Sequence, residues 1–329
     1  MEYVKLGNTG LDVSKICLGC MSFGEPERGY PIWSLGEEKS KAVIKKALEL
    51  GINFFDTANI YSDGSSEEIL GAALKEYAKR DEIVIATKVY QPTGKGPNKK
   101  GLSRKHIFEE VENSLKRLQT DYIDLYIIHR WDEKTPIEET MEALHDLVKI
   151  GKVRYIGCSS CYAWQFAKAQ HIAEIHGWTK FVSMQNKYNL LYREEEREQI
   201  PQLIDMHVAM TPYQPLQGGR LARNEGEVTT RSLTQINNKI EIYSDACEKM
   251  ISKRVDELSE KYGCSKANIA LAWQFTKSYI TSVIVGASSP NRIEDTVKCL
   301  DIQLSKEDVA YLEEPYIPHN AGKLRLLTN

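Results

Sequence analysis

Eight short apolar runs recur along the 329-residue chain, and each ends in a loop that usually leads into an amphipathic segment. They are "KICLGCM" (15–21), "INFFDTA" (52–58), "EIVIATKV" (82–89), "YIDLYIIH" (122–129), "YIGCSS" (155–160), "FVSMQN" (181–186), "VAMTPYQP" (208–215) and "TSVIVGAS" (281–288). Runs this apolar cannot keep one face in water, so they predict a parallel sheet covered by helices. Eight repeats without a break in composition predict closure into one (β/α)8 barrel, an α/β fold in which residues 1–329 form a single domain. An open doubly wound sheet is the alternative, but no G-x-G-x-x-G follows the first run.

Local signals support the alternation. Segments such as "EEKSKAVIKKALEL" and "SSEEILGAALKEYAK" have helical periodicity, Ser103 reads as a helix N-cap, and Gly51 and Gly151 follow helix ends. Two stretches fall outside the repeat. "EYVKLGNTGLDVS" reads as a β-hairpin turning around Asn8–Gly10 ahead of the barrel. "QGGRLARNEGEVTTRSLTQINNKIEIYSDA", after the seventh strand, is too long for a tight connection and reads as a functional loop, often a lid.

Composition narrows the function class. A net charge of −3 without any basic block argues against a nucleic-acid surface. The N-terminus "MEYVKLGNTG" has no signal-peptide pattern and no apolar run approaches ~18 residues, so a soluble cytoplasmic protein with no membrane contact is expected. Oligomeric state is not readable. The seven cysteines include two C-x-x-C pairs, Cys17/Cys20 and Cys158/Cys161. Residues three apart on a strand point to opposite faces, so these pairs are expected to be buried thiols and not metal ligands.

In such barrels chemistry gathers at the carboxyl ends of the strands. Those ends read Asp56, Lys88, His129, Ser159 with Ser160, Gln185 with Asn186, Tyr213 and Gly286 to Ser289, and Tyr61 stands in the loop just past Asp56. Asp56 would hold Lys88 across the barrel mouth, Lys88 would polarise Tyr61, and His129 would face the same space. That set suits proton transfer to a carbonyl oxygen. An ammonium ~4 Å from the phenol is worth ~4 kcal/mol at an effective dielectric near 20, enough to lower its pKa by up to ~3 units. A carbonyl that takes a proton from Tyr61 also needs hydride at carbon, which only a cofactor such as a nicotinamide supplies.

With those residues in place, "GINFFDTANIYSDGSSEEILG", "IATK", "DYIDLYIIHRWD", "ALHDLVKIGKVRYIGCSS" and "MQNKYNLLYREEERE" together resemble the aldo-keto reductases. The nearest likeness is to the aryl-alcohol-dehydrogenase-like branch of bacteria and fungi, and it spans the chain from "LGNTGLDVSKICLGCMSFG" to "VIVGASSPNRIEDTV". The resemblance implies NADPH-dependent reduction of a small-molecule aldehyde or ketone by the tetrad Asp56, Tyr61, Lys88 and His129. It further implies that Ser159, Ser160 and Gln185 hold the nicotinamide carboxamide and that Tyr213 stacks on the ring. By the same resemblance Cys20 and Met21 touch the cofactor from the first loop, and Gln214, Pro215, Leu216 and Gly218 belong to the loop under the pyrophosphate. Gly286, Ser288, Ser289, Arg292, Asp295 and Thr296 match the segment around the 2′-phosphate and adenine.

The chain departs from the family pattern in several places. Tyr213 and Gln214 stand where this branch often has tryptophan and serine, and Asp295 and Thr296 replace the usual Glu and Asn. Gly286 occupies the place of a phosphate-binding lysine, so preference for NADPH rests on Arg292. Tyr30, Trp33, Tyr90, Trp131 and Trp164 are expected to ring the mouth, which suits apolar or aromatic aldehydes, while Arg130 beside His129 leaves room for an acidic or phosphorylated substrate. Two other functions stay in competition: a cofactor-binding regulatory subunit with little turnover, and a Schiff-base aldolase using Lys88.

Overall fold

The computed structural model describes residues 1–29, 31–224, 227 and 245–318. A hairpin comes first, β1 (Tyr3–Lys5) paired antiparallel with β2 (Asp12–Ser14), and Leu6 N–H donates to Leu11 O across its turn at 2.9 Å. The eight apolar runs then supply β3 (Ile16–Gly19), β4 (Phe54–Asp56), β5 (Val84–Val89), β6 (Ile123–Ile128), β7 (Val153–Ser159), β8 (Ser183–Gln185), β9 (Ala209–Met210) and β10 (Val283–Val285). All neighbours are parallel, in the order β10-β3-β4-β5-β6-β7-β8-β9. The ring closes where Ile280 bridges Met210 and where Ile284 N–H donates to Pro212 O at 3.0 Å. The fold is the expected (β/α)8 barrel.

Helices cover the outside: α1 (Glu37–Glu49), α2 (Ser65–Tyr77), α3 (Arg104–Leu118), α4 (Ile137–Lys149), α5 (Ala163–His176), α6 (Gln199–Asp205), α7 (Asp245–Tyr262), α8 (Lys266–Phe275), α9 (Pro290–Val297) and α10 (Lys306–Glu313). Ser103 caps α3 by accepting from His106 N–H, as its sequence position predicts. Gly51, at φ +82°, follows α1 in the left-handed conformation that a Cβ would strain. Among the described residues no helix is long and apolar enough to cross a membrane. Most of the long segment after the seventh strand, residues 225–226 and 228–244, lies outside the described residues, and with it the lid reading.

Strand parity sorts the apolar residues into two layers. Cys17, Phe54, Val84, Ala86, Leu125, Ile127, Ala209 and Ile284 fill the barrel interior together with Leu6 and Val13 of the hairpin region. Ile16, Leu18, Phe55, Ile85, Tyr126, Ile128 and Cys158 face the helices. The inward rows continue upward by twos. Asp56 follows Phe54, Lys88 follows Ala86, His129 follows Ile127, Ser159 follows Gly157 and Gln185 follows Ser183. A period of two thus carries the interior rows from apolar to polar at one end of the barrel. Gly157 is glycine because a Cβ there would lie 2.5 Å from Ser183 Oγ.

Candidate active site

At that end of the barrel Lys88 is fully buried and uses its ammonium three ways. Nζ donates to Asp56 Oδ1 at 2.5 Å, to Thr57 O at 2.7 Å and to Tyr61 OH at 3.4 Å. An ammonium has three donors, so none is spare. Asp56 Oδ2 accepts from Gln185 Nε2 at 2.8 Å, which ties the second barrel strand to the sixth. Tyr61 opens a short 3-10 turn, Tyr61–Gly64, leading into α2; Ser62 and Asp63 there have φ of 46° and 50°. The Tyr61 ring meets His129 edge-on, with centroids 5.8 Å apart.

The electrostatics differ from the sequence expectation at Tyr61. Burial raises its pKa, and the Lys88 charge offsets only part of that rise, so the net direction is up and not down. The correction follows from desolvation: the phenol leaves water when the turn packs over the barrel, and a phenolate there would cost more than one ammonium returns. Burial alone would lower the Lys88 pKa, but the Asp56 and Tyr61 interactions outweigh it and the amine is held charged. His129 is pushed well below its usual range by burial, with the Arg130 and Lys88 charges adding to it. Its imidazole is neutral, and Nδ1 is buried without a hydrogen-bond partner. The site therefore presents a protonated phenol and a neutral imidazole side by side.

A pocket of about 1130 Å³ opens above this set, lined by Asp56, Tyr61 and His129. That exceeds the ~300–1,000 Å³ typical of a single drug-sized ligand, leaving room for a dinucleotide and a second small molecule. Met21, Ser159, Gln185 and Tyr213 line it close to the barrel, with Gln214, Pro215, Leu216 and Gly218 on the loop after β9. Gly286, Ser288, Arg292, Asp295 and Thr296 line it at the β10–α9 corner.

Three expected residues lie elsewhere. Cys20 continues the outward parity of Ile16 and Leu18, so it is fully buried under the helices and only its carbonyl, accepting from Ser66 Oγ, serves the first loop. Ser160 sits behind the lining: its N–H donates to Asn186 Oδ1 and its hydroxyl lies 3.2 Å from Tyr213 OH. Ser289 is the N-cap residue of α9 and does not line the pocket. Asp295 lines it but spends Oδ2 on the Ser265 hydroxyl at 2.8 Å.

A model described as the "Aldo/keto reductase family" matches residues 15–317. The chain belongs to the aldo/keto reductase family. It is 44% identical to versiconal hemiacetal acetate reductase of Aspergillus parasiticus, over 97% of this chain and 98% of that one. A Schizosaccharomyces pombe protein carrying an aryl-alcohol dehydrogenase name is also 44% identical, over 96% of both chains. Aldo-keto reductase AMT2 of Alternaria alternata is 43% identical, over 95% of this chain and 91% of that one. The resemblance to the aryl-alcohol-dehydrogenase-like branch holds, and the protein is an oxidoreductase.

Other features of this aldo/keto reductase were not legible. Of the aromatic residues expected at the mouth, Trp33 alone among the described residues lines the pocket. Trp131 and Trp164 pair with each other, centroids 6.4 Å apart, Tyr90 packs against the outer core, and Tyr30 lies outside the described residues. The pocket also takes in Gly19, Ser22, Lys187 and Arg223, together with Ser265 and Ala267 at the start of α8. Gly19 and Ser22 flank Met21 and could have been read with it. Nothing local marks Ser265, which the fold brings in from a distant helix cap.

The Cys158 and Cys161 thiols are another correction. They lie 3.2 Å apart, because Cys161 has left the strand and no longer obeys its parity. Cys17 and Cys20 do point to opposite layers. Among the described residues no group of three His, Cys, Asp or Glu side chains is placed to hold a metal ion.

Proposed function

We propose that the protein is an NADPH-dependent carbonyl reductase in which the whole chain, 1–329, is one catalytic unit. The observation that carries this is the Asp56–Lys88–Tyr61 chain of hydrogen bonds ending at the pocket floor. Bound NADPH would supply hydride to the carbonyl carbon. Tyr61 donates its proton to the carbonyl oxygen as negative charge develops there. Lys88, kept charged by Asp56, then stabilises the phenolate left behind, and Thr57 O and Gln185 hold the pair in place. His129, neutral and edge-on to Tyr61, offers a ring N–H that orients the carbonyl.

The residues present fit a dinucleotide. Arg292 is exposed at the first turn of α9 and among the described residues forms no ion pair with a carboxylate, which suits a 2′-phosphate. Ser159 and the free oxygen of the Gln185 amide face the barrel end, and Tyr213 supplies a ring for stacking. Gly286 leaves open space, since a Cβ there would meet nothing closer than 3.8 Å. A Schiff-base role for Lys88 is opposed by its charge and its three occupied donors. Seven cysteines with no disulfide among them suit a reducing cytoplasm. The reading is tested by following loss of reduced-nicotinamide absorbance with a panel of aldehydes and ketones. Tight NADPH binding without turnover of any of them would leave the regulatory-subunit reading in its place.

A further inference from the structure

The substrate end of the pocket carries a cation without a counter-charge. Arg130 follows His129 directly after β6 and lines the pocket beside Tyr61 and His129. Its charge is felt by both, lowering each one's pKa. One guanidinium N–H, on Nη1, donates to His129 O at 2.5 Å. A guanidinium has five donors, and among the described residues no carboxylate comes within ion-pair distance of this one. The two acids that follow it are committed elsewhere. Asp132 accepts from Leu102 N–H, Lys134 N–H and the Thr135 hydroxyl, and Glu133 accepts from Gln165 Nε2.

A half-buried, unpaired guanidinium in a concave site is poorly solvated, and binding an anion relieves that cost. If the cofactor is held as proposed above, its phosphates lie at the opposite corner around Arg292, so the anion has to come from the substrate. Met21, Ile32 and Trp33, on the segment after β3, add apolar lining to the same pocket. One planar fork matches one carboxylate in a bidentate pair, whereas a phosphate monoester carries more charge than a single arginine neutralises. We propose that Arg130 recognises a carboxylate on the substrate, and that the preferred substrates are aldehydes or ketones bearing that carboxylate on an apolar frame. The inference rests on the carbonyl-reductase reading of the same site.

The test compares 4-carboxybenzaldehyde with its methyl ester, which keeps the ring and the aldehyde and removes the charge. The parent enzyme should show the higher kcat/KM for the acid. In Arg130→Met the acid-to-ester ratio should fall about 10- to 150-fold, the range for charge-assisted hydrogen bonds. Arg130→Lys, which keeps charge without the fork, should recover part of that ratio. Raising salt in the parent should erode the preference, and this reading needs no variant to fold. An ester preferred by the parent, or a ratio unmoved in Arg130→Met, overturns the proposal while leaving reduction intact. Failure of every aldehyde to be reduced removes the carbonyl-reductase reading, and this inference with it.

Discussion

Lys88 Nζ lies 2.5 Å from Asp56 Oδ1, and neither side chain is more than 4% exposed. Breaking a buried pair from one side strands a charge, at a typical cost of about 3–5 kcal/mol. Lys88→Met should therefore lose stability on that scale, read as a lower urea midpoint. Asp56→Asn combined with Lys88→Met should regain part of the loss, because no charge is then left in the barrel. A Lys88→Met protein as stable as the parent would mean that water reaches Asp56 and that the pair is not closed.

Tyr61→Phe keeps the ring against His129 and removes only the hydroxyl. General acid catalysis contributes ~10²–10⁴-fold, and carbonyl reduction should fall at least that far while NADPH affinity barely moves. Reduction within a few-fold of the parent would take Tyr61 out of the chemistry.

The direction of the Tyr61 shift makes a separate claim about pH. Its pKa is raised by burial, so the phenol stays protonated through the neutral range and beyond. The rate of reduction should be flat across neutral and mildly alkaline pH. Oxidation of the product alcohol needs the phenolate and should climb as pH rises. A reduction profile that falls near neutrality would show that some other group donates the proton.

Acid stability follows from the histidines. Burial lowers the pKa of His129 and of His106 in α3. In the unfolded chain each takes a proton below about pH 6.5, while in the folded protein each resists it. The unfolded state then binds more protons, so stability falls as pH drops below that value. Each histidine contributes at most about 1.4 kcal/mol per pH unit until its folded-state pKa is reached. Denaturation midpoints measured from pH 7 to 5 should show the slope, and His106→Asn should remove its share.

Cofactor choice is expected to turn on Arg292 and Gly286. Arg292→Ala should weaken NADPH by roughly 10- to 150-fold and leave NADH nearly unchanged, as titrations of nicotinamide fluorescence would show. Gly286→Lys places an ammonium in the open space at the same corner and should tighten NADPH relative to NADH. Equal effects on both cofactors would move the 2′-phosphate away from this corner.

The barrel, its strand ends and the inward positions of Asp56, Lys88 and His129 were legible because each depends on local periodicity. Parity by twos carries Phe54 to Asp56 and Ala86 to Lys88, whatever the rest of the chain does. Counting along strands breaks down where the chain leaves a strand, and Cys161 folds back onto Cys158 against the alternation for that reason. Cys20 was expected at the cofactor from the family resemblance alone, whereas the outward parity it shares with Ile16 and Leu18 puts its side chain beneath the helices.

The sequence by itself determined which side chains crown the inner rows, since backbone pleat is set residue by residue. Only the tertiary structure decided their chemistry. Gln185 reaches Asp56 from 129 positions away, and Ser265 occupies Asp295 from another helix. Whether Tyr61 is drawn down by Lys88 or pushed up by burial depends on how much water the packed turn excludes. Desolvation is a property of all the surrounding atoms, and no spacing along one chain segment encodes it.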